Sequence, residues 1–230
     1  MPITVHAFRR DGFNDPIHLS LVEPPEGFKL SGAVVPADAD KVQLTLTVPA
    51  ADAAKGFFLE MEGLSVGSRR HRRFSRPAIP AESMMQAFLW LQIVPAEQWA
   101  VLVNGQAAAK FPLELLPVER VNLKLGGTTL LGARLTEKNP PANELRVELS
   151  EPPKGVTVEK VSPEGPGLVV SLATDATAVK PGLEGNLIFE VIREWTPAPT
   201  EAAPAPKPLR RSYGLLPAVP FEVVGQSPRK

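Results

Sequence analysis

Across 230 residues the chain carries 25 basic and 25 acidic side chains, no cysteine and 43% apolar residues. The charges balance within each half, 11 against 11 over residues 1–110 and 14 against 14 over residues 111–230, so no net field draws the chain to nucleic acid or an acidic membrane surface. Disulfides, thiolate catalysis and Cys-based zinc sites are excluded, and no run of about 18 apolar residues marks a membrane-spanning helix.

Proline is over-represented, at 26 residues, roughly twice the usual share. At that density it disfavours long helices and favours short strands joined by turns. The opening residues Met1, Pro2, Ile3, Thr4 and Val5 form neither the basic region nor the apolar region of a signal peptide. For an exported protein, the signal is expected upstream.

The first clear strand is predicted where Ile17, Leu19 and Leu21 alternate with polar residues, the period of two of a half-buried strand. The phrase EPPEGF follows at 23–28. Val42, Leu44, Leu46 and Val48 then define a second inward stripe, and Gly56 to Glu62 reads as another strand. The segment from Pro80 to Leu91 contains no glycine, and its Met84, Phe88 and Leu91 fall on one helical face. With Pro80 near its first turn and Pro95 beyond its end, it predicts a short helix near 81–92 that packs on the first module or between modules. A strand from Trp99 to Val103 closes the first half.

The second half repeats this order. Leu145, Val147 and Leu149 alternate; EPPKGV stands at 151–156, 128 residues after its counterpart; Leu168, Val170 and Leu172 form the next stripe, and Leu187, Phe189 and Val191 another. Turn signals every 8–12 residues are those of a β-sandwich. Pro-Pro-x-Gly suits the same reversal in two copies of one fold, because proline presets φ and glycine frees the backbone. The chain is therefore predicted to be all-β, with one module over 1–110 and a second over 111–230. Aligning residues 129–135 with residues 4–10 leaves an extra strand, 118–125, ahead of the second module. The first module is thus expected to lack its first strand, as in a fragment of a longer protein. The low-complexity stretch TPAPTEAAPAPKP, residues 196–208, predicts an extended, semi-rigid loop inside the second module.

The stretch TVHAFRRDGFNDPIHLSLVEPPEGFKLSGAVVPADADKVQLTLTVPA resembles Ig-like modules of large secreted bacterial proteins, often found next to pre-peptidase C-terminal (PPC-like) domains. RPAIPAESMMQAFLWLQIVPAEQWAVLV is similar to the stretch that follows in those modules. The resemblance covers residues 3–104 and reaches the rest only through the internal repeat. It implies two tandem Ig-like antiparallel sandwiches in an exported multidomain protein, placed in the periplasm, at the cell surface or outside the cell. It implies no catalytic residue and no cofactor. The missing cysteines, and early strands without tryptophan, argue against an antibody-type domain.

No residue pattern opposes a non-catalytic reading. His6, His18 and His71 stand in no triad-like arrangement, and no nucleophile elbow, zinc-protease motif or phosphate loop occurs. Glu60 and Glu62 share a strand face, which a glycosidase pair would require but solvated alternation also explains. Asp11 to Asp15 and Asp38 to Asp40 are oxygen-rich turns of the kind that ligate calcium, although such residues also cap turns unaided. The densest charge feature is Arg69, Arg70, Arg72 and Arg73. It reads either as a patch for sulfated or acidic polysaccharide or as a strand edge kept soluble by charge. Trp195, ending a strand beside the proline-rich loop, is the candidate sugar-stacking ring; Trp90 and Trp99 are expected to be buried.

The expected function is a structural or interaction module that spaces or presents domains or contacts a protein. The alternative is a carbohydrate-binding module acting through Arg69, Arg70, Arg72, Arg73 and Trp195. The expected partners are neighbouring domains of the same polypeptide, with polysaccharide or a surface protein beyond them.

Overall fold

The computed structural model describes residues 1–49, 53–66, 73–104, 111–137, 140–198 and 207–225. The chain divides into two compact units, with the break between Ala108 and Ala109. Both are built almost wholly of β-strands in mainly antiparallel sheets. Among the described residues the one helical turn is a 3-10 turn, Ala142–Glu144.

The first unit contains β1 (Pro2–His6), β2 (Ile17–Val22), β3 (Lys29–Ser31), β4 (Val34–Val35), β5 (Lys41–Thr47), β6 (Lys55–Val66), β7 (Arg73–Pro77), β8 (Ala81–Gln86), β9 (Trp90–Pro95) and β10 (Trp99–Val103). One sheet has the order β1-β5-β3; a second has β10-β6-β2-β4, with β7 also on β6. β6 serves two partners in turn. Its first half, Lys55 to Leu59, faces β10, and its second half faces β2 and β7. The inward stripe of β5, Val42, Leu44 and Leu46, meets Leu19, Leu59 and Met61 of the other sheet, which is the burial its alternation calls for.

The second unit contains β11 (Leu113–Leu115), β12 (Val121–Lys124), β13 (Thr128–Leu135), β14 (Leu145–Leu149), β15 (Val156–Glu164), β16 (Gly167–Thr174), β17 (Glu184–Leu187), β18 (Phe189–Trp195), β19 (Leu209–Leu215) and β20 (Val219–Val224). Its sheets have the orders β11-β13-β16-β15, β12-β20-β17 and β14-β18-β19. One continuous core joins Leu131, Val170 and Leu172 to Val147, Phe189 and Phe221.

The repeated turn phrases sit between corresponding strands, β2 to β3 and β14 to β15. Each opens on a residue with positive φ, Glu23 (42°) and Glu151 (46°), and each has as its fifth residue a glycine with positive φ, Gly27 (83°) and Gly155 (78°). The backbone there also passes too close to a neighbour for a side chain. A Cβ on Gly27 would lie 2.8 Å from Pro49 Cβ, and one on Gly155 2.7 Å from Ala178 Cβ.

Strand pairing corrects the alignment of the two starts. Leu46 lies opposite Leu30, and Leu172 opposite Val158. Thr129 then pairs with Leu172. Leu46, however, exchanges both backbone bonds with Met1, at 2.9 and 2.8 Å. Met1 therefore corresponds to Thr129, three residues from the sequence alignment, and the offset of 128 holds along β1, β2 and β6.

The predicted helix near 81–92 is not formed, so no inter-module helix exists there. The segment is a β-hairpin of β8 and β9 with Gln86 opposite Trp90 and Ala81 opposite Pro95. A helix of that length is marginal unless one face is buried, and here every residue of both strands is exposed. The proline-rich stretch keeps only 196–198 and 207–208 within the described residues.

Candidate interaction site

Between Glu82 and Glu97 the sequence SMMQAFLWLQIVPA carries no charge. This stretch builds the β8–β9 hairpin. Residues directly opposite share a face in an antiparallel pair. One face therefore holds Met85 with Leu91 and Ser83 with Ile93; the other holds Gln86 with Trp90 and Met84 with Gln92. The first face is almost wholly apolar. The second is mixed, and Gln92 Nε2 donates to Gln86 Oε1 across it at 3.4 Å.

The tip is a tight turn closed by Leu89 N–H donating to Gln86 O at 3.2 Å. Both central residues have positive φ, Ala87 at 50° and Phe88 at 57°. That geometry suits the twist of a hairpin but favours Asn and Gly, and an L-residue there costs about 1–2 kcal/mol. Phe88 is 94% exposed and Leu89 81%. Met85, Trp90 and Leu91 are also largely exposed, so Trp90 is not the buried ring expected from the helical reading. The base is anchored where Ala78 N–H donates to Met61 O at 2.7 Å and Ala96 N–H to Pro80 O at 2.8 Å. An apolar patch of this kind, exposed rather than folded into a core, is the usual mark of an interaction surface.

Of the residues singled out as a basic patch, Arg69, Arg70 and Arg72 lie outside the described residues, as does His71. Arg73 is exposed at the start of β7, an edge strand that pairs with β6. A second basic pair, Arg210 and Arg211, lies on β19, also an edge strand, where Arg210 pairs with Glu148 and with Glu194, the latter at 3.7 Å. Trp195 is half-buried opposite Leu209. The Arg193 guanidinium lies 4.7 Å from its ring centroid and also pairs with Glu144 at 2.8 Å. Trp99 is half-buried against both apolar clusters of the first unit.

The acidic turns are organised by a cation from the chain itself. Arg9 donates through Nε to Ala39 O, through one Nη to Asp15 O and through the other to Pro36 O, each at 2.7 Å, and its guanidinium stacks 5.5 Å from the Phe13 centroid. Carbonyl oxygens that could face a metal thus accept from a guanidinium. Glu62 accepts from Ser75 Oγ at 2.8 Å and from Ser20 Oγ at 3.4 Å, a solvated strand-face network. Among the described residues no three His, Cys, Asp or Glu side chains converge on a point, and no helix is long and apolar enough to cross a membrane. No protein-family model, curated protein or solved structure matches the chain.

Proposed function

We propose that the chain is a non-catalytic interaction module made of two Ig-like units, belonging to an exported multidomain protein, and that the β8–β9 hairpin is its protein-contacting element. The single observation that carries the reading is the hairpin whose residues 83–96 carry no charge, with Phe88, Leu89 and Trp90 exposed at its end. The Ig-like assignment draws support from strand order. In the second unit β11, β13, β16 and β15 correspond to strands A, B, E and D, while β14, β17 with β18, and β20 correspond to C, F and G. Strand A is divided, its second part β12 joining G. In the first unit the hairpin is inserted between β7 and G, where the second unit has only residues 216–218.

A protein partner fits better than a glycan. Apolar side chains on both hairpin faces offer area and shape, while few fixed donors or acceptors are available to read hydroxyl groups. The test is site-specific photocrosslinking from position 88 in the producing cell. One discrete polypeptide adduct, lost when Leu89 and Trp90 are replaced by serine, supports the reading. Retention on neutral or sulfated polysaccharide that disappears with Trp195→Ala or Arg73→Ala, without any protein adduct, would replace it with the carbohydrate-binding alternative.

A further inference from the structure

Sulfur is scarce in this chain and unevenly placed. There is no cysteine, and the four methionines are Met1, Met61, Met84 and Met85. The second unit builds its continuous core without a single methionine, so methionine is not the general gap-filler it is in many cores. Met61 is 5% exposed and packs in the first unit's core with Leu19 and Leu44. Met84 and Met85 are neighbours on β8, and they are 54% and 67% exposed. Half of the chain's sulfur thus stands in water, at adjacent positions of the hairpin whose residues 83–96 carry no charge.

Adjacent strand residues point to opposite faces, so this pair places one thioether on each side of the hairpin. Met85 lies opposite Leu91 on the apolar face. Met84 lies opposite Gln92 on the mixed face, one step from the Gln86–Trp90 pair. A body that grips the hairpin by either face therefore meets a thioether. The thioether is apolar, polarisable and flexible, which suits an adaptable contact. It is also the one side-chain group of this cysteine-free chain that a mild peroxide oxidises reversibly, and its susceptibility follows exposure.

We propose that Met84 and Met85 are a reversible oxidation site that switches the hairpin off, a step that rests on the hairpin being the protein-contacting element. The oxidant is hydrogen peroxide. The methionine sulfur attacks one peroxide oxygen; an S–O bond forms, the O–O bond breaks, and the other oxygen leaves as hydroxide and takes up a proton to become water. Sulfur gives up two electrons and peroxide receives them. The product sulfoxide is a polar acceptor in place of an apolar group. It stands in the middle of each face, and burying it against an apolar partner without a donor is unfavourable. The partner is therefore released. A dithiol reductase reverses the change, removing the oxygen as water while its two thiols close to a disulfide.

The test treats the purified full chain, carrying the photocrosslinker at position 88, with dilute hydrogen peroxide. Catalase removes the excess before the chain is mixed with extract of the producing cell and irradiated. Peptide mapping should find sulfoxide at Met84 and Met85 forming at least about tenfold faster than at Met61. The main thermal transition should move by less than about 2 °C, since neither side chain lies in a core. The yield of the polypeptide adduct should fall at least about tenfold, and methionine sulfoxide reductases of both epimer specificities should restore it. The Met84→Leu/Met85→Leu variant should give the adduct before and after peroxide, although its Met1 is still oxidised. A second measurement needs no partner: retention on a phenyl matrix should fall on oxidation of the native chain and stay constant for the double variant. An adduct that survives full oxidation of both residues overturns the switch alone. So does equal loss in the double variant, unchanged phenyl retention, or oxidation at Met61 as fast as in the hairpin. No adduct from the untreated chain overturns the protein-contact reading, and the switch with it.

Discussion

Replacing Ala87 by Asn and Phe88 by Gly separates what the hairpin tip costs from what it does. Both residues hold positive φ, at 50° and 57°. The left-handed region costs an L-residue about 1–2 kcal/mol, almost nothing for glycine and less for asparagine. The double substitution should therefore favour the folded hairpin by about 2–3 kcal/mol. That gain must stay local, because β8 and β9 are exposed along their whole length, and a two-stranded hairpin alone is at best marginally stable in water. The assay is hydrogen exchange, or NMR relaxation, at the cross-strand amides of residues 82–94, run beside thermal unfolding. Exchange in the hairpin should slow by roughly 30–100-fold, following the conversion of 1.4 kcal/mol to a factor of ten, while the main transition moves by less than about 2 °C. Photocrosslinking from the neighbouring position 89 should fall, since the exposed Phe88 ring is gone. A main transition that rises with the hairpin would refute the reasoning, since it would mean that the hairpin is coupled to the core. Unchanged exchange would show that the turn stores no strain.

Arg9→Ala should destabilise the first unit by about 2–4 kcal/mol, because three carbonyls lose a charged donor but are only partly sequestered from water; Arg9→Lys should recover part of this, and calcium should restore nothing, as read by chemical denaturation. Gly27→Ala and Gly155→Ala should each cost about 2 kcal/mol through left-handed backbone and crowding, lowering the transition of their own unit alone. Asp175 is held below the ordinary aspartate range first by the Thr177 hydroxyl, at 2.7 Å, and then by the Thr177 N–H, at 2.8 Å. Its contribution to stability is therefore present above the unfolded aspartate pKa and lost as pH falls through the lower folded value. An NMR titration should find Asp175 titrating below the ordinary aspartate range, and Thr177→Ala should move it up.

Where a single physical signal determined structure, the sequence was readable. The stripes of β2, β5, β14 and β16 follow a period of two because one side of each strand meets a core. The two EPP phrases mark one turn because its backbone demands glycine at the fifth position. The hairpin was not readable, because apolar residues occupy most positions from Met84 to Val94. Periods of two and of 3.6 then fit equally well, and a local pattern cannot tell whether a core exists to cover it. Arg9 does not stand out in the sequence as an organising residue because its partners are carbonyls 6, 27 and 30 residues away, and a carbonyl leaves no trace in residue identity. By sequence the two starts align three residues out of register because short Thr-led apolar runs resemble one another; only hydrogen-bond register distinguishes them.

The parallel pairing of β12 with β20 gives the two units different mechanical characters. Tension entering the second unit at β12 and leaving beyond β20 pulls two parallel strands in opposite directions. Their bonds are then loaded together, in shear, and must fail as a group. Tension applied to the first unit at Met1 reaches β1, which lies antiparallel to β5 and, among the described residues, has no parallel strand beside it. Stretched from its two ends in a single-molecule experiment, the chain should extend in two steps, the first unit yielding at markedly lower force.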